Sequence, residues 1–302
     1  MEEASIDKTA QPGWAGAAEA AASAAGHPRT IIRPHSGWAG IDWREIWRYR
    51  ELLYFLTWRD VKVRYKQTVL GILWAFIQPF VRLVVYTFVF HSLAKINTGG
   101  TRFENLPYAM VLYAGLIPWM FFRESLSRSS QSVVASPGLI TKVFFPRLII
   151  PLSSVGACLM DFAIYLVILA GLLLYYGVAP AATTLAVLPM VVLTICAAVG
   201  VGSFLSALNV AYRDFRYIIP FMLEIWFFLT PVAWLPDKIE GKARWLIYLN
   251  PMAGIVDGFR SAILGRPFAW GIITVSIATT AAALLAGAVY FRRIERQFAD
   301  MI

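Results

Sequence analysis

The sequence predicts an all-α polytopic membrane protein. It expects six transmembrane helices, an N-terminal amphipathic interfacial helix, and an extracytoplasmic re-entrant helical hairpin before the last span. Three observations carry this. Of 302 residues, 59% are hydrophobic and only 15% are charged, against about half and about a quarter in soluble domains. Mean hydropathy is +0.62. The apolar residues gather in six long runs, at about 69–94, 107–125, 147–176, 182–210, 217–236 and 268–290. Each reaches or exceeds the ~20 residues of helix that cross a bilayer.

The elements follow in chain order. Residues 1–40 are rich in Ala, Gly and Ser and read as a mobile cytoplasmic tail. Met1–Ala10 carries Glu2, Glu3 and Asp7 against Lys8, and Ala15–Gly26 carries Glu19, so no secretory signal is expected. Residues 41–302 read as one transmembrane domain. Its first element, over 42–60, places Trp43, Ile46, Trp47, Leu53, Tyr54 and Trp58 within about half of a helix circumference. Basic and aromatic residues on such a helix suit a membrane surface; the plain alternative is packing against a soluble partner. The third and fourth runs are long enough to tilt. Pro79 is expected to kink the first span and Pro220 to start the fifth. Tyr175–Ala182, with Gly177 and Pro180, is the tightest junction. Between the last two runs, Lys238–Leu249 and Pro251–Leu264 read as two short amphipathic helices. Asn250 is suited to cap the second and Pro251 to begin it.

Charge placement orients the chain. Ten Lys/Arg precede residue 68, four lie in 123–147, two in 211–217 and three after 290. The alternate loops hold two in 95–106 and five in 237–267. The larger group marks the cytoplasmic side, with both termini there. The net charge of +9 is therefore read as membrane topology, not as nucleic-acid binding.

Several chemistries are excluded. Cys158 and Cys196 sit inside apolar runs and read as small core hydrophobes. His27, His35 and His91 are far apart in sequence, so no metal site is expected. There is no nucleophile–base pattern and no paired carboxylates, so no catalytic residue is named. No Gly-x-x-x-x-Gly-Lys-Ser/Thr occurs, so any ATP-driven step needs another chain.

Three ionisable residues fall inside spans: Arg82, Asp161 and Glu224. Such groups are expensive in lipid and face protein or water. Arg82 is expected to answer one of the acids, either as a structural pair or as a lining for an anionic sugar phosphate. Trp74, Phe80, Tyr86, Phe90, Trp119, Tyr165, Trp226 and Phe227 are candidates to line a conduit. Ordinary packing and an interfacial aromatic belt are the alternative. Arg59, Lys62, Arg64 and Lys66, just before the first span, suit anionic headgroups at ~1 kcal/mol per charge. The sharper reading is capture of a lipid-linked pyrophosphate.

Several stretches carry a family resemblance. Arg59-Asp-Val-Lys-Val-Arg-Tyr-Lys-Gln-Thr-Val-Leu-Gly-Ile-Leu-Trp-Ala-Phe-Ile-Gln-Pro79 resembles the approach to the first span in type-2 ABC exporter permeases. The closest group handles O-antigen, other surface polysaccharides and teichoic acids. Asn250-Pro-Met-Ala-Gly-Ile-Val-Asp-Gly-Phe-Arg260 resembles the segment before that family's last span. Lys142-Val-Phe-Phe-Pro-Arg147, Asn209-Val-Ala-Tyr-Arg-Asp-Phe-Arg216 and Leu229-Thr-Pro-Val232 fit between them in order. The likeness covers about residues 42–302.

The resemblance implies a homodimer above two copies of a separate ABC ATPase, which binds ATP and Mg²⁺; this chain would hold no cofactor. It makes Ser127–Thr141 a coupling helix docked on that ATPase, with Ser127, Gln131, Ser132, Val133, Val134 and Ser136 at the contact. Pro137-Gly138 departs from the family's Asn-rich version. Arg213 and Asp214 of the next inside loop are further ATPase contacts, or else a cap and membrane anchor. Pro231, Trp234, Asn250, Pro251, Asp257 and Arg260 would form an outer gate. The implied cargo is a lipid-linked polysaccharide, with teichoic acid or capsule as the alternative. The rival readings are a membrane-embedded glycan-processing enzyme, which short loops and scattered acids disfavour, and a secondary carrier, which would show an internal repeat.

Overall fold

The computed structural model describes residues 43–66, 72–179, 181–238, 241, 243–295 and 298. The tail expected over 1–40, the stretch 67–71 and Pro180 lie outside them. The described chain is built from helices: α1 (Trp43–Arg48), α2 (Arg50–Lys66), α3 (Ile72–Thr87), α4 (Tyr108–Ser132), α5 (Pro137–Lys142), α6 (Ile149–Tyr175), α7 (Val187–Ala211), α8 (Phe215–Leu229), α9 (Ala243–Tyr248), α10 (Pro251–Leu264) and α11 (Trp270–Glu295). A π-helical turn, Phe88–Leu93, extends α3.

Four helical stretches are long and apolar enough to cross a membrane: Leu73–Leu93, Ile149–Tyr175, Ala182–Ala211 and Trp270–Glu295. The two other expected spans are helical but differ from expectation. α4 carries Arg123 and Glu124 and runs seven residues beyond 125, through Arg128. The helix survives there because Glu124 and Arg128 pair at i, i+4 (2.6 Å). Asn209 of α7 also donates to the Ser130 carbonyl at 2.9 Å. α8 begins at Phe215, so Pro220 lies inside it and does not start it. It stops at Leu229, where Thr230 turns extended before Pro231.

α4 is the centre of the bundle. Every residue from Met110 to Phe122 is buried, and its side chains join α6, α7, α8 and α10 in one apolar core. α10 is also covered all round, from Met252 to Leu264, so the amphipathic face expected of it is packed against protein. Asn250 caps it as expected, accepting from the Met252 amide at 3.0 Å, and Gly265 closes it in the left-handed conformation (φ 65°).

Small residues let the helices approach closely. A Cβ on Gly287 of α11 would lie 2.1 Å from the Gly200 carbonyl oxygen of α7. Backbone cannot step aside as a side chain can. Gly287→Leu is therefore expected to cost about 3 kcal/mol by overpacking, read as a lower melting midpoint in detergent. An unchanged midpoint would mean that the α7–α11 seam is looser than described.

Candidate functional site

At one end of the bundle, here called basal, two loops meet. α4 ends at Ser132, and a turn through Val133–Ala135 leads to Ser136. Ser127, Gln131 and Ser132 are thus the last turns of α4, and the separate short helix is α5, starting at Pro137. Ser136 before a proline at the first helical position was the legible signal. Val133 is fully buried with Ile140, Phe145, Leu148, Val210 and Phe291. Beside it lies a groove of about 410 Å³ lined by Val134, Pro137, Asn209, Val210, Arg213, Arg216 and Tyr217. Arg213 and Arg216 form no ion pair among the described residues. Asp214 is exposed at the turn into α8. The groove has an apolar floor and a cationic wall, and it is made jointly by both loops.

The four cations before the first span do not form one patch. Arg59 pairs with Asp60 at 2.9 Å. Lys62 sits over the Trp58 ring, 5.5 Å from its centroid, and Lys66 is exposed. Arg64 instead turns inward to an ion pair with Asp161 of α6, and Tyr65 donates to the same carboxylate. Thr57 faces Gly156, where an added Cβ would be 3.0 Å from its hydroxyl oxygen. α2 therefore runs along α6. This splits the expected aromatic stripe. Ile46 is buried and Leu53 half-buried, while Trp47, Tyr54 and Trp58 face outward with Phe55. A helix between protein and lipid needs two apolar faces, and a search for one stripe merges them. The side chain of Trp43 lies outside the described residues.

The expected Arg82 pairing is not what forms. Asp161 goes to Arg64, Glu224 stands 4.0 Å from Arg123, and Arg82 makes no ion pair among the described residues. Of the aromatic candidates, Tyr86 and Phe90 meet Phe227 at ring distances of 5.3 and 6.4 Å. Phe227 meets Trp119 at 5.9 Å, and Phe122 links Trp119 to Trp226 at 5.8 and 5.2 Å. These join α3, α4 and α8 in one aromatic ladder, with Trp119 wholly inside the core. Trp74 and Phe80 stand apart on the open face of α3. Tyr165 is buried on α6, outside the ladder.

At the opposite, apical end, α8 breaks early and its chain continues through buried, non-helical backbone, Thr230 to Leu235. Six of the carbonyls here find a side chain, and those of Phe227 and Thr230 take the backbone amides of Thr230 and Val232. Thr230 donates to Trp226 O (2.8 Å), Trp234 to Phe228 O (3.2 Å) and Asn250 to Leu229 O (3.4 Å). Arg260 donates to Pro231 O (3.2 Å) and Val232 O (2.8 Å), and Tyr108 to Ala233 O (2.6 Å). Arg260 also reaches Val111 O at 2.9 Å. Asn250 accepts from the Trp226 indole at 2.9 Å. Of the six gate residues, Pro231, Trp234, Asn250 and Arg260 meet at this unwound segment, while Pro251 begins α10 and Asp257, on the same helix, bonds Arg102.

Sequence reasoning missed Arg102, which binds Asp257 at 2.9 Å and Asp237 at 3.1 Å. Burial disfavours the Arg102 charge, but Asp257 and Asp237 outweigh it and hold its pKa above the usual value. Partners 155 and 135 residues away leave no local mark in the sequence.

The sequence pattern of the ABC-2 type transporter family matches residues 51–264. The chain is 27% identical over 253 residues to the O-antigen export system permease protein RfbA of Klebsiella pneumoniae, covering 83% of this chain and 95% of that one. It is 28% identical to the RfbA permease of Myxococcus xanthus over 262 residues, 86% of this chain and 98% of that one. It is 23% identical to the polysialic acid transport protein KpsM of Escherichia coli over 212 residues, 68% and 78% of the two chains. With the matched stretch running from α2 through the buried helix α10, this chain belongs to the ABC-2 type transporter membrane family.

Proposed function

We propose that the chain is the permease subunit of an ATP-driven exporter that carries a lipid-linked polysaccharide, an O-antigen or related surface glycan, across the cytoplasmic membrane. The observation that carries this is the near end-to-end likeness to permeases named for O-antigen export. The basal groove supports the coupling half of the reading. A partner element seated there would touch the loop after α4 and the loop after α7 at once, and so would move α4, α5, α7 and α8 together. ATP and Mg²⁺ belong to that partner, an ABC ATPase present in two copies.

In this reading there are six spans, with both termini in the cytoplasm. α8 is only 15 residues long, about 22 Å of helix against ~30 Å of hydrocarbon. The unwound segment completes the crossing, which is tolerated because its backbone is buried in protein and satisfied. α10 follows as the re-entrant element, held by Asn250, Asp257 and Arg260. The outward aromatic face of α2 rests in the membrane surface, with Arg59, Lys62 and Lys66 toward headgroups. α3 and α8 leave broad exposed apolar faces, with Phe80, Phe88, Phe221 and Phe228 among them. These suit the homodimer and a conduit between its halves, with Trp74, Arg82, Glu224 and the Tyr86–Phe90–Trp226 end of the ladder along it.

Deleting the gene in its host and sorting lipid-linked glycan by membrane face tests this. Finished glycan should collect on the cytoplasmic face and vanish from the surface. Truncated glycan would favour the processing-enzyme reading, and unchanged glycan would remove the cargo. The KpsM likeness favours one second reading within the same class, a capsule polysaccharide. The chemistry of the accumulated glycan decides between them.

A further inference from the structure

We propose that Asp161 stands in, at Arg64 and Tyr65, for the phosphate of an anionic lipid, and that such a phosphate displaces it. This rests on the reading of α2 as a membrane-surface helix and adds the ligand class.

Two consecutive residues in the last turn of α2 converge on one carboxylate. Arg64 Nη1 donates to Asp161 Oδ2 and the Tyr65 hydroxyl to Oδ1. That is an oxyanion cradle, and the carboxylate does not exhaust it. Among the described residues Arg64 Nη2 reaches only the Cys158 sulfur, at 3.9 Å. Arg64 Nε is out of contact with solvent and has no hydrogen-bond partner among them. The guanidinium thus spends one donor on oxygen although its fork suits bidentate binding. A phosphate, with its additional oxygens, can take the end-on fork of Nη1 and Nη2 together with the Tyr65 hydroxyl.

The surroundings favour the exchange. Lys62 and Lys66, two residues to either side of Arg64 on the same helix, are exposed and form no ion pair among the described residues. The Arg64 and Asp161 side chains keep 16% and 14% of their exposure, so the pair lies at the edge of the α2–α6 contact and is not sealed. The exchange gives up a tie between α2 and α6 and gains a tie between α2 and lipid. Because α2 leads into the first span, lipid arrival loosens the span's own anchorage.

The test uses the full chain in phosphatidylcholine nanodiscs, titrated with polyprenyl phosphate, with phosphatidylglycerol and with inorganic pyrophosphate. Asp161→Asn is expected to tighten binding of the phosphate lipid about tenfold, since an amide competes poorly for Arg64. Arg64→Gln with Asp161→Asn, a neutral pair that strands no charge, is expected to lose the gain. Tyr65→Phe leaves the ion pair in place and should weaken binding a few-fold, so the idea stays exposed even if Asp161→Asn does not fold. A gain confined to polyprenyl phosphate assigns the site to the cargo's carrier; an equal gain with phosphatidylglycerol assigns it to bulk anionic lipid; both uphold a phosphate site. A gain seen only with inorganic pyrophosphate overturns the lipid. Asp161→Asn binding no tighter than wild type, or Tyr65→Phe binding as wild type, overturns the exchange. Either failure leaves the glycan-accumulation result untouched, so the two readings fall separately.

Discussion

Arg260→Ala yields little or no stably folded protein. The guanidinium is 1% exposed and is the donor for the carbonyls of Pro231 and Val232, which have no helix to serve them. Each orphaned buried carbonyl costs about 1–3 kcal/mol. The emptied volume adds to this, because Arg260 packs over the Phe103 ring at 5.7 Å and against Gly115, whose Cβ, if added, would be 2.2 Å from Nη2. The sum is on the order of 5 kcal/mol, within the whole net stability of an ordinary domain, about 5–15 kcal/mol. Arg260→Lys keeps the charge but offers a point donor in place of a fork, so it is expected to fall between the two. Membrane accumulation and thermal unfolding in detergent read the order wild type, Lys, Ala. An alanine variant that accumulates and melts like wild type would show that the unwound segment is satisfied without Arg260.

The parts of the fold that were legible in the sequence are those governed by a continuous apolar length. α6, α7 and α11 start and stop within a few residues of the runs that announce them, because lipid demands an unbroken helix. The misread helices depart for reasons that hydropathy does not contain. α4 outruns its apolar stretch because an internal ion pair and the Asn209–Ser130 bond carry the helix on. α8 halts early because Thr230, Trp234 and Asn250 take its free carbonyls, while Tyr108 of α4 and Arg260 of α10 serve the carbonyls just beyond it. The site shows the same division. Asn250 and Pro251 were readable as a cap because capping is local. Arg260 was readable as important, but its partners are backbone oxygens, which have no residue signature. The sequence pointed to Arg82 as the mate of an intramembrane acid; the course of α2 along α6 gives Asp161 to Arg64 instead.

Gly138→Trp folds normally and loses export by tenfold or more. Gly138 is exposed, its backbone is not left-handed, and a Cβ there meets nothing within 4 Å. A large side chain therefore costs the protein itself little. α5 is held from its other side, by Ile140 and half-buried Leu139 in the basal cluster, so its position survives. What the indole would block is the approach to α5 and to the groove beside Pro137. Arg216→Glu alters the facing wall by charge without touching the core and is expected to weaken the same association. Val133→Asp is the contrasting case. That side chain is fully buried, and an unpaired carboxylate there should remove the protein from the membrane altogether. Surface glycan in a complemented deletion strain, measured together with co-purification of the ATPase, separates these outcomes. Gly138→Trp with normal export and a bound ATPase would sink α5 as the docking element and move coupling to the loop of Arg213 and Asp214. Loss of both, with wild-type accumulation of the permease, is the result the groove requires, because only a partner's absence explains a folded chain that no longer exports.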